Sequence, residues 1–365
     1  MMKDRYQKQK LLQYFLSRNW YPQMEVEVFW PESPSTKPKM ITDIDVLALA
    51  PSQSGNMRSI IGDCKTLKNQ SPVNRAFWLK GLMTYLNSDY GIVLLSKAIE
   101  IEHKSLANSL NISLLSDEDF RHYSTATTKE LVTEAALCDL ERWDQYFTIP
   151  STLPNLTPLF LYCKNGFWNE KDSSVRLRHA IAKVQNVRTE LNPQNNKSVF
   201  LFLELCSMFS IALNDMCMGT FDKFMWAEKK EIFENDLRVQ LWGGYENYQF
   251  WDQLRRRLIA KTPEEPVAAL TLPEWSNFIQ LVRACMDCPL ELSIVPIILK
   301  ELAFQHLQEQ LSLDDSNQFI KKLVLENPQA SKCAILIVDY IVRAARIPVE
   351  FANEASAYIM RLQRQ

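Results

Sequence analysis

Asp43 and Asp45 stand two residues apart in Thr42-Asp-Ile-Asp-Val-Leu47, and Asp63 and Lys65 stand two apart in Ile60-Ile-Gly-Asp-Cys-Lys-Thr66. Both segments alternate with the period of a β-strand. Side chains at i and i+2 of a strand share a face, so each pair projects together and Cys64 points the other way. Neighbouring strands lie about 4.8 Å apart, which lets Asp45 and Asp63 share one divalent ion if their strands are neighbours. Charged groups among apolar strands are costly to bury unless paired or metal-bound. Oxygen-only donors select Mg²⁺ or Mn²⁺ over zinc. Glu25 and Glu27, two apart in Met24-Glu-Val-Glu-Val28, can add a third acid from the preceding strand. Two acids and a lysine on one sheet face suffice for metal-assisted hydrolysis.

The elements that must position these residues can be read from hydrophobic period. Asp4 to Arg18 reads as an amphipathic helix, and Met24 to Trp30 as a strand. A Pro/Ser/Lys-rich loop from Pro31 to Lys39 precedes a second strand, Met40 to Ala50, and a short turn around Ser54 to Asn56 precedes a third, Arg58 to Thr66. A helix (Asn74 to Asn87), a strand (Gly91 to Ser96), a helix (Ile99 to Leu110) and a strand (Ile112 to Ser116) follow. Three strands in a meander and two βαβ crossovers give a mixed sheet with helices on both faces.

These residues resemble the signature of the PD-(D/E)xK nuclease superfamily, which includes Mrr-type restriction enzymes and Holliday-junction resolvases. The likeness rests on Ile41-Thr-Asp-Ile-Asp-Val-Leu-Ala48, on Ile61-Gly-Asp-Cys-Lys-Thr66 and on the element order, and it covers roughly residues 4–120. It implies a restriction-endonuclease-like α/β domain at 1–125, and the helical periodicity beyond it gives an all-α domain at 126–365. It further implies Mg²⁺-dependent hydrolysis of DNA, with Asp45 and Asp63 as ligands and the Cys64 carbonyl as a further one. Lys65 would stand at the scissile phosphate, and restriction or phage defence would be the setting. Many members place a Glu on the first helix; this chain has Gln7 and Gln9 there, which leaves the first acid to Glu25 or Glu27. A catalytically silent, nuclease-like subunit of a larger complex is the alternative.

Composition narrows the remaining possibilities. With 47% apolar and 23% charged residues over 365 positions, the chain is globular rather than disordered. It has 8 Gly where average usage of about 7% would give roughly 26. Neither a GxGxxG nor a P-loop motif occurs, so no nucleotide cofactor is expected. The first 18 residues lack the apolar core of a secretory signal, and the most apolar run, Ser198 to Leu213, is interrupted by Glu204 and falls short of a bilayer span. Eight scattered cysteines suit reduced thiols in a cytoplasm, and the lone CxxC of Cys285 and Cys288 is read as packing.

Charge argues for a local polyanion site rather than a global one. Residues 1–130 carry 16 Lys and Arg against 14 Asp and Glu, and the remainder carries 25 against 29. Lys68, Arg75 and Lys80 follow the acids and are candidates for DNA phosphate contact, with Trp78 beside them. Beyond residue 120 the strand signal disappears. Tyr123 to Glu130 reads as a linker, and about nine helical segments follow from Val175 to Leu362. Arg255 to Arg257 form the one dense basic run there. The mild acidity of this half suits a protein partner or self-association better than a DNA groove.

Overall fold

The computed structural model describes residues 2–30, 39–52, 57–66, 71–221, 223–224, 229–259, 270–307 and 318–364. Lys68 and the two connections expected within 31–39 and 54–56 therefore lie outside the described residues, apart from Lys39, which opens a strand.

A helix, α1 (Arg5–Ser17), leads into three strands, β1 (Tyr21–Trp30), β2 (Lys39–Ala50) and β3 (Arg58–Lys65). Then come α2 (Pro72–Leu86), β4 (Tyr90–Leu95), α3 (Ile101–Ser109), β5 (Ile112–Ser116) and α4 (Asp117–Thr127). The five strands form one mixed sheet in the order β1-β2-β3-β4-β5. The β1–β2 and β2–β3 pairs are antiparallel, and β3–β4 and β4–β5 are parallel through helical crossovers.

Two glycines fix the helices on the sheet. A Cβ on Gly62 would stand 2.6 Å from Leu11 Cδ1, so α1 packs directly on β3 there. A Cβ on Gly91 would stand 2.8 Å from Leu79 Cδ2 and 2.9 Å from Met83 Sδ, so α2 packs on β4 in the same way. Ile61 pairs with Gly91, which puts Gly91 on the face opposite Gly62. The two helices therefore cover opposite faces.

The segment expected as a linker is largely helical. Ser116 and Asp119 form a reciprocal capping box that starts α4, and the helix runs to Thr127 before the chain leaves the sheet. Residues 136–169 then form a chain of short helical turns, three of which carry a proline in their first two positions, Pro150, Pro154 and Pro158. Longer helices follow at Ser173–Asn186, Asn196–Phe221, Lys230–Leu241, Tyr245–Ile259, Trp275–Met286, Val295–Gln305, Gln318–Glu326, Pro328–Ala345 and Glu350–Arg364.

The central helix Asn196–Phe221 has 26 residues, long and apolar enough to cross a membrane, yet 94% of its most apolar window is buried in the fold. It is a core helix, and its Glu204 is paired with Lys300 at 2.6 Å. Apolar residues of the sheet and of the helical half form a single buried cluster. Tyr21 on β1 donates its hydroxyl to the Ser293 carbonyl at 2.8 Å, and Lys300 donates to Gln23 Oε1 at 2.8 Å. All eight cysteines are free, with Cys288 and Cys333 Sγ atoms 3.4 Å apart.

Candidate functional site

The register Val46↔Gly62 places Asp45 across from Asp63, one residue beyond the last bridged pair of β2 and β3. Residues directly opposite on an antiparallel pair share a face. Both aspartates are buried, and Lys65 Nζ stands 3.1 Å from Asp45 Oδ2 and 3.6 Å from Asp63 Oδ1. The three residues expected to act together are therefore brought together. Asp45 Oδ2 also accepts the Cys64 backbone N–H at 2.7 Å, so an acid side chain takes the place of the next ladder bond. The Cys64 side chain itself is fully buried, and burial raises its thiol well above the ordinary range.

Two further cations complete the cluster, from helices on opposite sheet faces. Lys8 of α1 lies 2.8 Å from Asp45 Oδ1 and also pairs with Glu25. It is as buried as the acids. Arg75, near the start of α2, grips Asp63 with two donors, Nε to Oδ2 at 2.8 Å and Nη2 to Oδ1. Its guanidinium also lies 4.1 Å from the Trp78 ring centroid. Ser71 caps α2 by accepting the Asn74 N–H, and Pro72 occupies the first turn, which sets the helix start beside β3. Asp4 ties the other side: its carboxylate accepts the Thr66 N–H at 3.0 Å, joining the start of α1 to the end of β3.

Glu25 and Glu27 part company. Tyr21, Gln23 and Glu27 all reach the helical half, as alternate residues of one strand should. Glu25 has φ +56°, a left-handed conformation rare for this residue in a strand, and turns to Lys8 instead. Glu27 is not part of the site: it pairs with Lys164, accepts from Asn165 Nδ2 at 3.1 Å, and is bracketed by Asn165 and Asn169 on its own backbone. The expectation of a shared Glu25/Glu27 face is thus corrected by one residue's backbone. Lys80 lies half-buried farther along α2 and makes no ion pair among the described residues.

Electrostatics separate the acids. Burial pushes Asp45 up, but Lys8 and Lys65 outweigh it and hold the carboxyl below its usual value. At Asp63 burial wins over Arg75 and Lys65, and the carboxyl sits above its usual value. Glu25 is also raised, by burial against the pull of Lys8. Lys65 is opposed by burial yet raised by Asp45 and Asp63, so it stays charged.

Three acids thus face three cations. Among the described residues, no group of three or more His, Cys, Asp or Glu is disposed to hold a metal ion. Asp45 and Asp63 on facing strand positions are the candidate ligand set, but all four of their oxygens are engaged by Lys8, Lys65, Arg75 or the Cys64 N–H, so an ion would enter only by displacing one of these cations. Glu25 stands beyond Lys8 and is not needed for that set.

Lys8 is the residue that sequence reasoning missed. The first helix does reach the acids, and Lys8, between Gln7 and Gln9, is what it brings. No family model matches the chain, and neither a curated protein nor a solved structure matches it significantly.

Proposed function

We propose that this chain is a Mg²⁺- or Mn²⁺-dependent DNA endonuclease of the restriction-endonuclease-like fold, acting in the cytoplasm in restriction or phage defence. The reading is carried by one observation: Asp45 and Asp63 on facing strand positions, with Lys65 Nζ within 3.6 Å of both. Asp45 and Asp63 hold the ion, which when bound acidifies a water and polarises the phosphoryl oxygen. Lys65 sets a positive charge beside the acids, where it offsets charge developing on the phosphate. Arg75 supplies a planar, two-donor group suited to phosphate as well as to the carboxylate it grips here. The helical half positions the sheet against a partner or a second copy.

Incubating the full chain with linear, circular and single-stranded DNA, with Mg²⁺ or with EDTA, tests this. Asp63→Asn and Lys65→Met should each lower cleavage by about two to three orders of magnitude, the scale of removing one electrostatic contact to a transition state. Unchanged cleavage in both variants would sink the assignment.

A second reading draws on the charge balance. Lys8, Lys65 and Arg75 neutralise Glu25, Asp45 and Asp63 without any added ion, which suits a nuclease-like subunit that binds but does not cut. Mn²⁺ titration followed by electron paramagnetic resonance separates the two. Stoichiometric binding lost in Asp63→Asn supports the enzyme, and no binding supports the silent subunit.

A further inference from the structure

We infer that the exposed face of α2 beside the acid pair is a stacking platform for unpaired nucleobases, so that the strand this site takes is single-stranded; the inference rests on the proposed nucleic-acid function. Phe77, Trp78 and Tyr85 are 54%, 38% and 46% exposed. Trp78, Gly81 and Tyr85 follow a three-then-four spacing that lines one helix face, with Phe77 one turn before Gly81. A contiguous row of exposed aromatic side chains on one helix face marks an interaction surface.

Gly81 gives the second observation. Glycine inside a helix is destabilising, and crowding does not call for it here, because a Cβ at this position would meet nothing within 4 Å. The missing side chain leaves the helix surface open at Gly81, one turn after Phe77 and Trp78 and one turn before Tyr85.

The platform is continuous with the candidate site. Arg75 lies on the Trp78 ring with one face and grips Asp63 with its edge. Tyr85, two turns on, donates its hydroxyl to the Phe29 carbonyl of β1 at 3.3 Å, which fixes the far end. A strand whose phosphates meet Lys65 and Arg75 would thus lay its bases along α2. Duplex bases are stacked on one another and offer no free ring face, so exposed rings select single strands, and they do so with little regard to sequence.

The test is binding of the full chain in EDTA, so that cleavage plays no part, to labelled oligothymidine and to a duplex of equal length. The single strand should bind at least about tenfold tighter than the duplex. Trp78→Ala and Phe77→Ala should each weaken single-strand binding about tenfold, the scale of one lost base stack. Gly81→Leu, which favours the helix and adds apolar surface, should weaken it as much by filling the gap, with a circular dichroism melt no lower than that of wild type. Equal or tighter binding of duplex, or single-strand binding untouched by Gly81→Leu and Trp78→Ala, would overturn the platform and leave those rings to a protein partner. The two readings fail separately. Wild-type cleavage with unaffected binding in these variants removes the platform alone, whereas single-strand binding lost in the variants, with no cleavage by wild type under any metal, removes the hydrolase and keeps the platform.

Discussion

Two of the places where this protein buries charge are built differently. In the helical half, Lys300 and Glu204 are 4% and 1% exposed, 2.6 Å apart, and Gln23 is the other polar partner of the lysine among the described residues. The rings of Trp168, Trp143 and Phe304 enclose Lys300 at 5.3 to 6.0 Å. At the sheet, three acids share three cations, and Lys65 remains 25% exposed. A sealed one-to-one pair can only hold its neighbours in register. A shared network with a wet side can exchange one partner for another, and that is why the chemistry is assigned to the sheet.

Removing a charge from each place should therefore give opposite results. Lys300→Met strands Glu204, whose Oε2 has no hydrogen-bond partner among the described residues, in an apolar core, and should cost about 3–5 kcal/mol in urea unfolding. Cleavage per folded molecule should be unchanged. A loss below about 1 kcal/mol would erase the contrast, since the sealed pair would then behave like a surface one.

A pH scan sharpens it next. Burial lowers His306, at the end of the helix Val295–Gln305, to about 4 from its usual 6.5. The fold thus favours the neutral ring. Stability is fully present above pH 6.5, is lost as the unfolded chain takes up its proton below that, and levels off near pH 4. The shift corresponds to about 3 kcal/mol, read as a falling melting temperature that His306→Phe should flatten across this window.

Gly62→Ala comes third. The new methyl must move Leu11 and crowds the Val46 carbonyl at 3.1 Å, an overpacking of about 1–3 kcal/mol next to Asp63. Cleavage should fall with stability, because the strand that carries both acid and lysine is displaced. Lys65→Met should be the mildest for the fold, under about 1 kcal/mol by chemical denaturation, because Lys8 and Arg75 still hold the two aspartates. It is also the variant expected to cut hydrolysis hardest. A stability loss as large as that of Lys300→Met would mean that the network is structural after all.

Much of this arrangement is written in local pattern, and the rest is not. The period of two in Thr42 to Leu47 and Ile60 to Thr66 gave the strands and put Asp45, Asp63 and Lys65 on one face. Apolar runs at Gly91 to Leu95 and Ile112 to Leu115 gave the parallel strands, because strands covered on both faces are apolar throughout. Lys8 was illegible because a lysine on the polar side of an amphipathic helix reads as solvated, and its partner lies 37 positions on. Glu25 was misread because alternation assumes extended backbone, and nothing in the residue type announces φ +56°. The turns of 136–169 are each shorter than the window in which a helical period can be recognised. The polar stretch at Tyr123 looked like a linker, although its capping box at Ser116 and Asp119 was visible as the sequence Ser-x-x-Asp.

The bracket around Glu27 has a consequence for solubility. As an outer strand of the sheet, the ten-residue β1 offers a row of backbone groups to any other extended chain. At Glu27 those positions are occupied: Asn165 Oδ1 accepts the backbone N–H at 2.9 Å and Asn169 Nδ2 donates to the carbonyl at 2.8 Å. Two amide side chains thus imitate the strand that is missing and deny its place to a stranger. The helical half is in this sense a built-in chaperone for the sheet. Residues 1–130 produced alone would expose that edge and should aggregate edge to edge, while the whole chain stays dispersed.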